Sequence, residues 1–185
     1  MSGYKAKEFI RPGGTKTIDA NHKAEVTIVG YVPEYVSEFK RLNELWIREH
    51  FEMEEADHQS LDHPEESIIR SGGEILFALE GQTVVGTCAL IKMKGGKFDF
   101  ELAKMAVDPM SRGKGIGHRL GKAIIGIARE RGAKTIFLQS DAILLPAINL
   151  YRKLGFVETA SQPTPYARGN MQMQLELPPQ STPGV

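Results

Sequence analysis

The chain has one cysteine, Cys88, among its 185 residues. No internal disulfide can form, so packing has to hold the fold together. Long hydrophobic runs are missing too. Apolar stretches such as residues 123–128 fall far short of the roughly 20 consecutive apolar residues that a membrane span needs. Charge imbalance is the third absence, with 23 Lys and Arg against 23 Asp and Glu. Binding nucleic acid through bulk charge calls for a basic chain, which disfavours that class of partner. A solvating, disordered chain would need strong net charge and few aliphatics, whereas 41% of these residues are hydrophobic. Residues 1–23 carry Lys5, Lys7, Arg11, Lys16 and Lys23 without an apolar run, so they read as a loose basic leader and not as a signal peptide. With a lone thiol, the expected location is cytoplasmic. The length predicts one domain, here residues 24–177, followed by a Pro-rich tail at residues 178–185.

Hydrophobic periodicity orders the elements. Residues 24–32 form a β-rich run. Pro33 opens a helix whose apolar face is Val36, Phe39, Leu42, Trp46 and Met53. A shorter helix is predicted over residues 64–70, and Ser71, Gly72 and Gly73 break it. Glu74–Glu80 and Thr83–Lys92 read as a hairpin joined by Gly81 and Gln82, with a third strand over residues 97–107. In that third strand Phe98, Phe100 and Leu102 share one face, yet the apolar set resumes at Met105 and Val107 with opposite parity. A slip of one residue turns side chains to the other face, and a β-bulge near Ala103 and Lys104 would absorb it. A helix with Ile116, Leu120, Ala123, Ile124 and Ile127 on one face follows and stops at Gly132. Then come a strand at residues 135–139, a helix at residues 146–154, and strands at residues 156–157 and 170–177. The expected fold is α/β, a mixed sheet with helices on it.

Between the third strand and its helix lies the segment Arg112, Gly113, Lys114, Gly115, Ile116, Gly117. A glycine-rich turn at a helix N-terminus gathers backbone N–H groups and suits an anion such as a pyrophosphate. A Walker A loop is excluded because Lys followed by Ser or Thr is missing. A dinucleotide fingerprint fits Gly113 and Gly115 but finds His118 at its third glycine. The pattern R-x-x-G-x-G is met by Arg112, Gly115 and Gly117.

This stretch, preceded by ELAKMAVDP from Glu101 and followed by AINLYRKLGF ending at Phe156, resembles the acyl-CoA-binding segments of the GNAT superfamily of N-acetyltransferases. The agreement runs from about Ala24 to Leu177. It implies a mixed, mostly antiparallel central sheet with a β-bulge, splayed strands and helices on both faces. It also implies transfer of an acetyl group from acetyl-CoA, the expected cosubstrate, to an amine. Nothing in the sequence marks a peptide groove, so the expected acceptor is a primary amine of a small molecule, attacked within a ternary complex. Many members carry an Asn where this chain has Leu144. Two rivals stand beside this reading: a non-catalytic acyl-CoA-binding sensor, and a nucleotide-binding domain. A protein or peptide acceptor is a further alternative, and the chain could act as a monomer or a homodimer.

The chemistry sets the site requirements. An alkylamine, with a pKa of about 10.4, must lose a proton. The thioester oxygen must be stabilised as it gains charge. The leaving thiolate gains from a proton donor. The resemblance makes Glu101 the candidate base, directly or through water, against the plainer reading of a half-exposed strand residue. It makes Tyr151 the candidate acid, although a core aromatic would sit on the same stripe with Ile148 and Leu154. Met105 and Val107 would bind pantetheine through their backbone, with the Val107 N–H polarising the thioester. Arg112, Gly113, Lys114, Gly115, Ile116, Gly117 and His118 would hold the phosphates. Cys88 reads as a buried hydrophobe.

Residues 49–66 hold eight acids uninterrupted by Lys or Arg, with His50, His58 and His63 among them. They read first as a solvated helix face, while the resemblance implies that they form an acidic wall of the acceptor cleft. The histidine spacing matches no standard ligand set, so no metal is expected. Arg168 is a candidate for pairing a substrate carboxylate. Arg112, Lys114, Arg119, Lys122, Arg129, Arg131 and Lys134 are expected to surround the glycine turn and its helix as a basic region.

Overall fold

The computed structural model describes residues 25–160, 163, 164, 166 and 169–178. The predicted leader at residues 1–23, and the tail beyond Pro178, lie outside the described residues. The elements are β1 (Val26–Val29), α1 (Val36–His50), α2 (Glu55–Asp62), β2 (Glu74–Glu80), β3 (Thr83–Lys92), β4 (Phe100–Val107), α3 (Ile116–Glu130), β5 (Thr135–Ser140), α4 (Leu145–Lys153), β6 (Val157–Glu158) and β7 (Met171–Glu176). The seven strands form one sheet in the order β1-β2-β3-β4-β5-β7-β6. Every neighbouring pair is antiparallel except β4 and β5, which are parallel.

The sheet carries a core on each face. In β2, Leu76 and Ala78 face one core while Ile75, Phe77 and Leu79 face the other. This is the period-two alternation of a strand covered on both sides. On the first face lie α3, through Leu120, Ile124, Ile125 and Ala128, and Tyr151 of α4. On the second lie α1, through Phe39, Leu42 and Ile47, and Leu61 of α2. Each fully buried Leu, Ile or Phe contributes about 1.5–3 kcal/mol of transfer free energy, so these stripes fix which face each helix covers.

Three local predictions change. The α1 helix ends at His50, because Phe51 is extended with φ −148° and ψ 176°, so Met53 lies beyond it. Helix α2 has no signal in the apolar pattern. It is polar, and its start is a capping box in which Glu54 and Asp57 each accept from the other's backbone N–H. The helix predicted over residues 64–70 is a π-type turn, Glu65–Ile69, closed by the Arg70 N–H on the Glu65 carbonyl at 2.8 Å.

The bulge lies where the parity of β4 demands it. Ala89 pairs with Ala103 and Thr87 with Ala106, so Cys88 faces both Lys104 and Met105. Phe100 and Leu102 point into the core beneath α3, and Met105 and Val107 pack against that same core, while Ala106 lies in the opposite one. Lys104 takes φ +51°, and among the described residues no other non-glycine has positive φ. β4 begins at Phe100, later than predicted. Ahead of it, Phe98 stacks on Phe137 at 4.9 Å, and the Asp99 carboxylate accepts from the Lys134 and Thr135 N–H groups at 2.8 and 3.0 Å. These contacts pin one end of the β4–β5 pair.

Candidate active site

β4 and β5 pair only at Phe100 with Ile136 and at Glu101 with Phe137. Beyond that, β4 follows β3 and β5 follows β7 to Ser140, so the two strands separate. The splay predicted for the far end of β4 is present. It opens a cleft of about 100 Å³ whose lining includes Glu101, Lys104, Met105, Gln139, Leu144 and Tyr151. Leu144, where an Asn was noted as usual, is a buried apolar wall residue.

The backbone of β4 turns toward this gap. The Asp108 N–H bonds the Val85 carbonyl of β3 at 2.9 Å. N–H directions alternate along a strand, so the Val107 N–H points away from β3, to the side where β5 has parted, and so does that of Met105. Past Val107 the chain makes a short turn, Pro109–Ser111, capped by the Asp108 carboxylate, and enters the glycine segment. Gly113 and Gly115 have φ +77° and +78° with open space around them, so glycine is required there for conformation and not for room. Gly115 caps α3. The Arg119 N–H on the Gly115 carbonyl, at 3.1 Å, is the first bond of that turn. The N–H groups of Ile116, Gly117 and His118 therefore face outward at the helix N-terminus, with no capping side chain and no acid in the first turn. Ile116 is buried in the core, so it can offer a ligand only its backbone. A Cβ on Gly117 would meet Leu150 at 3.1 Å and Met105 at 3.9 Å, so this glycine lets α3 approach α4 beside the gap.

The two nearest cations already have partners. Arg112 forks onto Glu49 of α1 at 2.8 and 2.5 Å, and Lys114 reaches both Glu80 oxygens at 2.9 Å. Such exposed pairs are worth at most about 1 kcal/mol, so exchange for a phosphate costs little. Arg119 instead donates to the Val26 carbonyl. The basic region is less compact than its sequence suggested. Arg129, in the last turn of α3, lies on the order of 20 Å from the glycine turn at 1.5 Å per residue. Arg131 binds the Gly72 and Gly73 carbonyls and Glu74.

Tyr151 is 9% exposed, lies edge-on to Phe156 at 6.2 Å between ring centres, and lines the cleft. Burial, with the Cys88 sulfur nearby, pushes its phenol up to about 12, so the hydroxyl is a neutral donor at any ordinary pH. Cys88 itself is fully buried with its thiol raised by that burial, and its Sγ lies 3.9 Å from the Leu120 carbonyl. The carboxyl of Glu101 is raised by burial, an effect opposed by a hydrogen bond from Gln139 at 3.0 Å and by the charge of Lys104.

Folding gives four of the eight acids of residues 49–66 a cation partner. Glu49 is taken by Arg112, Asp62 by Lys40 at 2.6 Å, Glu65 by Arg70 at 2.9 Å, and Asp57 by Lys104 at 2.8 Å. The run has no cation of its own, but folding brings cations to it from elsewhere. Gln139, Thr164 and the Lys104–Asp57 pair were not singled out from sequence, since no local spacing marks them. Arg168 lies outside the described residues. Among the described residues no group of three or more His, Cys, Asp and Glu could hold a metal ion, and no helix is long and apolar enough to cross a membrane.

Comparison with known proteins agrees with this geometry. Residues 39–156 match the Acetyltransferase (GNAT) family. The uncharacterized N-acetyltransferase YjgM of Escherichia coli (strain K12) is 41% identical over 78 residues, which are 42% of this chain and 46% of that protein. The matched segments span under half the length of this relative and of N-acetyltransferases 8B and 8F1 of Rattus norvegicus. In fold, the chain is similar to an acetyltransferase of the GNAT family from Staphylococcus aureus Mu50, with a TM-score of 0.75 and 23% identity over 83% of this chain and 100% of that one. It is also similar to a Bacillus subtilis acetyltransferase in complex with CoA, with a TM-score of 0.61 and 21% identity over 83% and 99%. The match over most of the folded region, on a sheet that splays at its glycine turn, makes this chain a member of the GNAT acetyltransferase family.

Proposed function

We propose that the chain is an N-acetyltransferase that moves an acetyl group from acetyl-CoA to a primary amine of a small molecule by direct attack in a ternary complex. The observation that carries this reading is the gap between β4 and β5. It has backbone N–H groups of Met105 and Val107 on its edge, open N–H groups of α3 at its mouth, and Glu101 and Tyr151 on its walls. Those donors suit a chain of amides ending in phosphates. Ile116, Gly117 and His118 would bind phosphate through backbone, Arg112 and Lys114 through charge, and the Val107 N–H would meet the thioester oxygen as it becomes anionic.

Each reacting group then has a partner. Glu101 takes a proton from the ammonium, directly or through water, and frees the nitrogen lone pair. The nitrogen bonds the carbonyl carbon, and collapse of the tetrahedral intermediate breaks the C–S bond. The second proton leaves the nitrogen as the amide forms and balances the thiolate. Tyr151 meets the departing sulfur. With a phenol near 12 and a thiol of about 8.5, full transfer from tyrosine is uphill by roughly 5 kcal/mol. The role of Tyr151 is therefore a hydrogen bond to the developing thiolate, with the nitrogen's proton neutralising it in the end.

Four of the eight carboxylates of residues 49–66 are paired with Lys or Arg, which weakens their pull on a cationic amine and leaves more of it to the cleft, where Glu101 is held by a neutral amide. The lone buried thiol accords with a cytoplasmic protein. The test is release of free thiol from acetyl-CoA across amino acids, polyamines, aminoglycosides and peptides. Release that depends on a small amine supports the reading. Release with peptides alone moves the acceptor class, and CoA binding without release from any amine makes the chain a non-catalytic binder.

A further inference from the structure

Where the β4 and β5 backbones part, one side chain still bridges them. The last paired residues are Glu101 and Phe137. Two residues further along β5, the Gln139 Nε2 reaches back across the widening gap and donates to Glu101 Oε1 at 3.0 Å. The other end of this amide is held as well. Thr164 donates its hydroxyl proton to Gln139 Oε1, while the Thr164 oxygen accepts the Tyr166 N–H at 3.1 Å. Gly169 closes over the pair. A Cβ there would lie 2.9 Å from Gln139 Oε1 and 3.1 Å from Thr164 Oγ1, so the chain must be bare at that point.

The direction of this relay is fixed by donor and acceptor chemistry. A backbone N–H can only donate, so Tyr166 uses the Thr164 oxygen as an acceptor. The single Thr164 hydrogen is then left for Gln139, whose oxygen must face it. The amide nitrogen is thereby turned to Glu101, and Glu101 Oε1 can only accept. We infer that Gln139 is a positioning residue for the base, oriented by Thr164: it holds Oε1 of Glu101 as an acceptor and leaves Oε2 as the oxygen that takes the proton of the amine. This rests on the reading of Glu101 as the base.

Charged and titratable groups line the same cleft. From β4 comes Lys104, whose ammonium is itself held by Asp57 of α2 and by the Tyr166 hydroxyl. Just past the end of β5 lies Asp141, held by the Ile143 N–H and by Asn170, and from α4 comes Tyr151. Burial raises the Glu101 carboxyl, while Gln139 and Lys104 oppose that rise. Loss of the amide donor therefore makes the carboxylate harder to form.

The test reads Glu101 directly. Its side-chain carboxyl is followed by carbon NMR against pH in the whole chain, with the signal assigned by its loss in Glu101→Gln. Gln139→Met is expected to raise the Glu101 midpoint by about one pH unit, a roughly tenfold change in proton affinity. Thr164→Val, which frees the amide to rotate, raises it by less, and Thr164→Ser restores the wild-type value. The acidic limb of kcat/KM moves with the midpoint while KM for acetyl-CoA stays. A midpoint indifferent to both Gln139→Met and Thr164→Val overturns the positioning role with the base intact. If Gln139→Met fails to fold, the Thr164 pair decides alone. A Glu101→Gln variant that keeps the acidic limb overturns the base on which the inference stands.

Discussion

Lys104 Nζ lies 2.8 Å from Asp57 Oδ1, with the two side chains 7% and 0% exposed. The pair ties the bulge of β4 to the first turn of α2. The same lysine holds a backbone conformation that is costly for a residue with a Cβ. Lys104 sits at φ +51°, at roughly 1–2 kcal/mol against the right-handed form, and its side chain then reaches an acid from a distant element.

Breaking one side of that pair is expected to be severe. Lys104→Met leaves the buried Asp57 carboxylate without its ammonium and should cost about 3–5 kcal/mol, read as a lower urea midpoint. The double variant Lys104→Met with Asp57→Asn removes the buried charge and should recover most of the loss. If the single variant is as stable as wild type, the pair does not hold α2 in place.

The glycine turn should separate conformation from space. Gly115→Ala meets no neighbour, yet φ +78° costs roughly 1–2 kcal/mol and moves the α3 N-terminus. Titration calorimetry should show CoA affinity down about tenfold. Gly126→Ala, within the same helix and also in open space, should gain roughly 0.5–1 kcal/mol and leave CoA binding unchanged. Equal effects of the two variants on CoA affinity would remove the turn from the binding site.

The rate should rise with pH on a limb above the ordinary glutamate value of about 4.3, because burial raises the Glu101 carboxyl. No falling limb should come from Tyr151 below about 12. Tyr151→Phe should lower kcat about a hundredfold and leave KM for acetyl-CoA unchanged. The stability link has the opposite sign to the rate. The folded chain keeps a proton on Glu101 that the unfolded chain has released, so this group's contribution is greatest at low pH. It declines as pH climbs from the unfolded value to the folded one. A pH–rate profile unchanged by Glu101→Gln contradicts the assignment.

Cys88 is fully buried with a raised thiol, so a disulfide reagent should find no reactive protein sulfur in the native chain. In denaturant it should find one equivalent. Rapid labelling of the native chain would mean that the β3 core opens readily.

Much of the fold could be read in sequence because apolar parity reports on faces. The parity switch between Leu102 and Met105 located the bulge, since a strand keeps its apolar set on one face through such a switch only by inserting an extra residue. The splay followed from the same feature. Helix α2 could not be read, because Leu61 is nearly all of its apolar signal and its start rests on reciprocal caps between Glu54 and Asp57. The same limit hid the chemistry of the cleft. A run of acids shows its own charges, but the cations that pair them, Lys40, Lys104 and Arg112, come from other elements. Gln139 and Thr164 meet across 25 residues, and no local spacing announces such a contact.

The most direct test of the account is the fate of the acetyl group. Wild-type protein is incubated with acetyl-CoA and each amine, and free thiol and acetylated amine are measured together. The account predicts that both appear in equal amounts with at least one small amine, and that both fall together in Glu101→Gln and Tyr151→Phe. Tight CoA binding with neither product from any amine would contradict it.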